Sequence, residues 1–537
     1  MRNAITSSLT GLLLLQSFLL PAQSPGNPTP YAQTITAADL EKHLRVLAAD
    51  DMEGRETGTP GQKKAAEYIA RQFAADNLVP IVKNGGEKGA YLQPFSLYRK
   101  TWGDFYVKAG NKQFAYLKDF ITNGLLSVPQ ETSYETVFVG YGISDGKYDD
   151  YAKLDVTGKA VVMLEGEPKK ANGQSLISGT SEPSKWGTAD SWRAKTTLAK
   201  DKGAAQVFII SAESAEGFRQ VVSQRGALQG RFNRLTLRPG TEQLGSVGTF
   251  LVAEETAAAL LNTKPEQFKK LKEQIAKAGA PVSAGLKGKV SVKAERKEET
   301  VQTENVLGFI EGTDKKDEVV IVSSHYDHIG ISPNGQVNNG ANDDGSGTVS
   351  VLEIAQAFAK AKADGHGPRR SMLFLTVTGE EKGLLGSQYY ADMDPVLPLE
   401  NTVADLNIDM VGRVDDLHQG KSDNYIYVIG SDKLSSELHR ISEETNKQYA
   451  KMELDYKYND PKDPERIYYR SDHYNFAKHK IPIIFYFNGL HADYHQPTDD
   501  VEKMDFTLAE KTARLIFYTA WEIANRDNRL VVDSNKP

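Results

Sequence analysis

The sequence predicts an α/β protein: a mostly parallel, doubly wound sheet flanked by helices, interrupted by an inserted β-rich module. Three observations carry this expectation. From residue 304 onward, short apolar runs alternate with helical patterns, the signature of strand–helix–strand units. Residues 35–80 keep helical spacing. Residues 130–285 change character, with strand-like runs and no histidine.

Taken in chain order, Met1-Arg2-Asn3 is a short positive start and Leu9 to Leu20 an apolar run, followed by Pro21-Ala22-Gln23-Ser24. Charge, short apolar core and small residues in that order predict a secretory signal peptide over residues 1–24. The run is too short for a comfortable membrane span. No later stretch is long and apolar enough to cross a bilayer, so the expectation is a secreted or periplasmic protein with no membrane span in the mature chain.

Leu40, Leu44 and Leu47 share one helix face. After the turn-rich Gly54-Arg55-Glu56-Thr57-Gly58-Thr59-Pro60-Gly61, residues Ala65, Ile69, Phe73 and Leu78 resume helical spacing. Strands are expected at Thr136–Gly142, Lys159–Leu164 and Ala204–Ile210. Further strands are expected at Val319–Ser323, Met372–Thr378, Val403–Ile408, Tyr425–Ile429 and Ile481–Phe487. Helices are expected at Gly347–Ala363 and Leu508–Ala524. The organisation is then residues 25–129 as the first part of the main domain, 130–287 as the insert and 288–537 as the main part.

Composition narrows the chemistry. The chain has 537 residues, 64 Lys+Arg against 71 Asp+Glu (net −7), 39% hydrophobic and 25% charged residues. That is ordinary for a globular protein and gives no electrostatic footprint for nucleic acid. There is no cysteine. Disulfides, cysteine nucleophiles, iron–sulfur clusters and Cys-ligated zinc are therefore excluded, and any metal must be held by His, Asp and Glu.

Nine of the ten histidines lie at 325 or later. The candidate ligands there sit just past predicted strands or before the next helix: His325 and Asp327 after VVIVSS, Glu380 and Glu381 after MLFLTVTG, Asp409 after VADLNI, and His495 after IPIIFYF. Asp343 lies in the Gly/Asn loop NNGANDDGSG. Ligands of open α/β sheets bind outside the carboxyl ends of strands, so separate segments converge on one rim. Two histidines and three carboxylates suit a dinuclear metal site. Asp343, flanked by glycines, fits the bridging place. One metal would take His325 and Asp409, the other Glu381 and His495. Adjacent Glu380 and Glu381 cannot easily both ligate one ion, so one ligates while its neighbour accepts a proton from water. Asp327, two residues on, can hold the other N–H of His325. No HExxH motif occurs, which disfavours a helix-borne single-zinc protease.

The segments SSHYDHIG, NNGANDDGSG, TGEEKGLLGS, NIDMVGR, RSDHYNF and YHQPTDD resemble, in order and spacing, the M28 family of zinc-dependent metallopeptidases, aminopeptidases in particular. LAADDMEGRETGTPGQKKAAEYIARQF resembles the family's first helices. VFVGYGISDGKYDDYAKLDVTGKAVVML resembles the protease-associated (PA) domain often inserted in these enzymes. The resemblance implies two Zn2+ per chain with His325, Asp343, Glu381, Asp409 and His495 as ligands, Asp343 bridging, Glu380 as general base and Asp327 in support. It settles which glutamate is which. It also points to His473, in Ser471-Asp472-His473, as an oxyanion stabiliser, and leaves Arg413 touching either substrate or structure. The implied function is removal of N-terminal residues from peptide substrates. Three alternatives stay open: a carboxypeptidase of the same family, with Arg413 or Arg470 for the substrate carboxylate; a single-zinc glutaminyl cyclase-like transferase; and a non-catalytic binding protein on the same fold. Oligomeric state is not legible.

Overall fold

The computed structural model describes residues 26–83, 90–123, 126–146, 148–229, 234–239, 247–282 and 284–534. The expected signal peptide lies outside the described residues. The chain divides into two compact units, one of residues 1–95 and 302–537, the other Ser96–Val301.

In the first unit, α1 (Ala37–Leu47) starts at Thr36, whose side chain accepts from the backbone N–H of Asp39, and α2 (Pro60–Ala75) starts on a proline, where no N–H is needed. The later elements are β1 (Lys287–Ile310, of which residues 306–310 pair in this unit), β2 (Lys315–His325), α3 (Gly347–Ala363), β3 (Arg370–Val377), β4 (Thr402–Ile408), β5 (Tyr425–Ile429), β6 (Glu453–Asp455), β7 (Ile483–Phe487) and α4 (Phe506–Asn525). Their sheet order is β6-β5-β7-β4-β2-β3-β1. The β2–β3, β2–β4, β4–β7 and β5–β6 pairs are parallel, while β1–β3 and β5–β7 are antiparallel.

Period-2 alternation explains why both faces are covered. Val320, Val322, Met372 and Phe374 pack into the core shared with α1, α2, α3 and α4. Val319, Ile321, Leu373 and Leu375 pack on the opposite side with Tyr390, Phe476 and Ile483. Strands buried on both faces read as continuous apolar runs, which is how they stood in the sequence. From β2 the chain crosses to β3 on one side and then returns to β4 on the other. This makes the β2–β4 boundary the topological switch point, with its crevice at the carboxyl ends.

The second unit is also built on strands and helices. Val128–Phe138, Ala160–Leu164, Gln206–Ala212 and Thr249–Ala253 are successive parallel neighbours. Phe120–Asn123 and residues 287–294 flank them antiparallel. This unit begins at Ser96, upstream of residue 130, because the strand Leu92–Ala109 pairs with Lys112–Ala115 and Phe120–Asn123 joins the sheet edge. The β-rich expectation needs a correction. Helices Ser191–Asp201, Ala215–Gln229, Glu254–Leu260 and Glu266–Ala278 alternate with the strands. In the last of these, Phe268, Leu271 and Ile275 form a narrow buried stripe on a highly charged helix, a weak signal beside the strands' apolar runs.

Candidate metal centre

The rim of the first unit gathers its acids and imidazoles at the switch point. His325 ends β2 and Asp409 follows β4. Glu380 and Glu381 sit in a turn after β3, closed by the N–H groups of Gly383 and Leu384 donating to the Glu380 carbonyl (2.8 and 2.9 Å). His495 is held in the left-handed region at φ 56°, a conformation non-glycine residues adopt only under surrounding constraint. Gly340, at φ 55°, begins the turn to Asp343; a Cβ there would meet the Asp343 carbonyl at 2.2 Å.

Adjacent Asp343 and Asp344, joined by a cis peptide bond, divide the work. Asp344 accepts backbone N–H groups on both oxygens: Gly347 (2.8 Å) and Met410 (3.1 Å) on Oδ1, His325 (3.3 Å) on Oδ2. It ties the loop, β2 and β4 together. Asp343 instead points both oxygens at side chains. Its Oδ1 lies 3.4 Å from His325 Nε2, which is 3.6 Å from Asp409 Oδ1. Its Oδ2 lies 3.1 Å from His495 Nε2, which is 3.0 Å from Glu381 Oε2. The five side chains expected as ligands thus lie together, in two groups around one carboxylate.

Sequence reasoning missed a sixth. His328 is fully buried, its Nδ1 2.8 Å from Glu381 Oε1 and 3.7 Å from Asp343 Oδ2. It directly follows Asp327 in HYDH, beyond the strand end, and spacing alone gave it no role.

The donor set can be tested against a metal. Bonds of 2.0–2.1 Å from zinc to N and O imply tetrahedral donor–donor edges of roughly 3.3–3.4 Å, and the separations above bracket that value. The facing atoms Asp343 Oδ2, Glu381 Oε1, Asp409 Oδ1, His495 Nε2 and both nitrogens of His328 are buried without a hydrogen-bond partner. Buried polar atoms are normally satisfied. A set of orphans converging at this spacing fits divalent cations, and imidazole with carboxylate suits zinc.

Electrostatics follow from the crowding. Burial alone would push the His325 imidazole down, but Glu380, Asp409 and Asp343 hold it well above its ordinary value. Burial pushes Glu380 well up, and neighbouring Glu381 adds to this against His325. Glu380 Oε2 is 3.9 Å from His325 Nε2, longer than any donor contact within the two groups. Asp327 supports the site differently from expectation. Its backbone carbonyl, 3.0 Å away, faces His325 Nδ1, whereas its carboxylate accepts from Thr57 Oγ1 (2.6 Å) and the Glu380 N–H (3.2 Å). Asp499, in the PTDD segment, accepts from the N–H groups of Asn342 and Asp343 (3.0 Å each) and fixes the bridging loop.

One expectation is corrected, for His473, and Arg413 takes the structural one of its two open alternatives. His473 does not face the site: its Nε2 is 2.8 Å from the Tyr468 carbonyl and its ring stacks on Phe485 at 4.7 Å. Burial lowers its pKa to about 3, so it is a neutral structural group. Arg413 donates to Asp493 Oδ2 at 2.8 Å and braces the His495 loop. A cleft opens on the site. His325, Asp343, Glu380 and Asp409 form its floor, Met410, Ile467, Phe485, Phe487 and Leu490 line it, and Arg470 and Tyr494 complete it.

Comparison with known proteins places these residues in context. Residues 305–520, which contain the whole donor set, match the model of peptidase family M28. Aminopeptidase YwaD of Bacillus subtilis is 32% identical over 145 residues, covering 25% of this chain and 30% of that protein. A probable leucine aminopeptidase of Arthroderma otae is 30% identical over 247 residues, covering 45% of this chain and 63% of its own length. The chain thus spans less than two thirds of the length of either relative. Among solved structures, the aminopeptidase from Aneurinibacillus sp. strain AM-1 is 18% identical with a TM-score of 0.47, over 94% of this chain and 98% of that one.

Proposed function

We propose that the chain is an exported zinc exopeptidase, an aminopeptidase that hydrolyses the first peptide bond of peptides at a two-zinc centre. The carrying observation is Asp343, whose Oδ1 and Oδ2 face two different donor groups at 3.4 and 3.1 Å. His325 and Asp409 would hold one ion, Glu381 and His495 the other, with Asp343 shared. Residues 1–24 are assigned as the secretory signal and 130–287 as a PA-like insert.

Bound there, zinc supplies a Lewis acid for the scissile carbonyl and lowers the pKa of water toward about 7. The chain's own residues do the rest. Glu380 stands beside both groups without completing either, and accepts the proton of the attacking water. Burial has already raised its pKa, which suits a base that must return that proton to the leaving amine. Asp327 fixes Glu380 through its backbone N–H. The apolar wall of Met410, Ile467, Phe485, Phe487 and Leu490 takes an apolar first side chain and excludes water.

A carboxypeptidase is the second reading, favoured by the Arg470 guanidinium at the cleft. Turnover of one peptide with a free and with an acetylated amino terminus separates the two. The aminopeptidase reading expects hydrolysis of the free form only, from its first residue. Equal turnover of both forms, with release from the carboxyl end, would replace it.

A further inference from the structure

Arg55 is almost completely buried, at 1% exposure. It ends a tight turn in which Glu53, Gly54 and Arg55 all have left-handed φ (54°, 64° and 48°). Glycine is required in the middle, because a Cβ on Gly54 would meet the Asn338 carbonyl at 2.5 Å and the Gly330 carbonyl at 2.6 Å. The turn drives the guanidinium under the candidate centre. There it donates to four backbone carbonyls: Tyr326 (2.8 Å), Leu47 (2.7 Å), Asn339 (2.6 Å) and Gly340 (2.8 Å). Tyr326 follows His325, and Asn339 and Gly340 precede Asp343. One side chain therefore ties both donor loops to the end of α1.

The choice of partners is unusual. A buried guanidinium commonly pairs with carboxylate, yet among the described residues no acid stands at ion-pair distance from Arg55. Four buried acids nevertheless surround it. Burial pushes the guanidinium down, and Asp343, Asp499, Asp327 and Asp344 push it back up. Its hydrogen bonds go to carbonyls, so the carboxylates stay free to ligate while they still feel its charge. Like charges a few Å apart repel strongly in a partly buried setting, and the metal-free rim gathers many.

Resting on the two-zinc reading, we propose that Arg55 is a resident cation of the metal-free state: a positioning residue whose charge, as well as its hydrogen bonds, holds the acidic donor loops in place until zinc arrives. It follows that Arg55 stabilises the metal-free chain more than the loaded one.

The test is thermal unfolding of the full chain, stripped by chelator or saturated with zinc, for wild type, Arg55→Gln and Arg55→Lys. Gln removes the charge; Lys keeps it and loses the fork. The expectation for Gln is a fall in Tm larger in the stripped than in the loaded chain, by about 3 °C or more, or folding only with zinc present. Lys is expected to lose a similar amount in both states. Equal losses for Gln, a larger loss in the loaded chain, the same gap for Lys as for Gln, or a Gln chain that folds in neither state would each overturn the role. If zinc fails to raise the wild-type Tm at all, the two-zinc reading falls first and this inference falls with it.

Discussion

The two units are built alike and treat buried charge in opposite ways. Both have parallel strands alternating with helices, and both bury ionisable groups beyond the strand ends. In the second unit Asp150 and Lys195 are satisfied. Asp150 accepts from the backbone N–H groups of Tyr141 and Ile143 at 3.0 Å each. Lys195, at 1% exposure, donates to the Leu164 carbonyl at 3.0 Å and to that of Gly166. In the first unit the equivalent rim leaves Asp343, Glu381, Asp409, His328 and His495 with orphaned atoms facing one another. A buried charge with backbone partners belongs to the fold; a cluster of buried donors without partners points to a ligand.

Substitutions can break or sharpen that contrast. The largest effect is expected for Glu380→Ala, which should lower kcat by about 10²–10⁴-fold while metal analysis still finds two zinc ions per chain. Turnover near wild type would remove Glu380 as the base. His328→Ala should weaken the zinc held near Glu381 and His495 by about 10–100-fold, as loss of a supporting group does, with the His325 side less affected; competition with a chelating dye reads this directly. Unchanged affinity at both sites would make His328 ordinary core.

The smallest effect on metal lies in the second unit. Burial lowers the Lys195 pKa to about 8. Between that value and about 10.4 the unfolded chain holds a proton that the folded chain has shed. Wild-type stability should therefore rise with pH across that window, by about 3 kcal/mol from this group. Lys195→Met should lose this rise and keep its zinc. Loss of zinc from a folded Lys195→Met chain would end the contrast between the units.

Much of the architecture was legible because β2, β3, β4 and β7 are apolar on both faces and end at turn residues or polar loops. The helix Gly347–Ala363 stood out through its periodicity. The spatial convergence of His325, Asp343, Glu381, Asp409 and His495 was foreseeable from strand-end topology. Other features were not legible, for physical reasons. The strand Leu92–Ala109 alternates with polar residues and hides the start of the second unit. Histidine carries one letter for two opposite uses: His328 points into the donor cluster, whereas His473 turns away to a carbonyl and Phe485. Arg55 sat in a turn-rich stretch whose left-handed geometry only the backbone reveals. The division between Asp343 and Asp344 depends on which N–H groups arrive from other segments, and no local pattern encodes that.

The central claim is that one carboxylate serves two ions. Zinc content per chain, measured on wild type and Asp343→Ala after the same dialysis, tests it most directly. The account predicts two zinc ions in the wild type and loss of both from a folded variant. A wild type that holds one zinc, or a variant that keeps two, would contradict it.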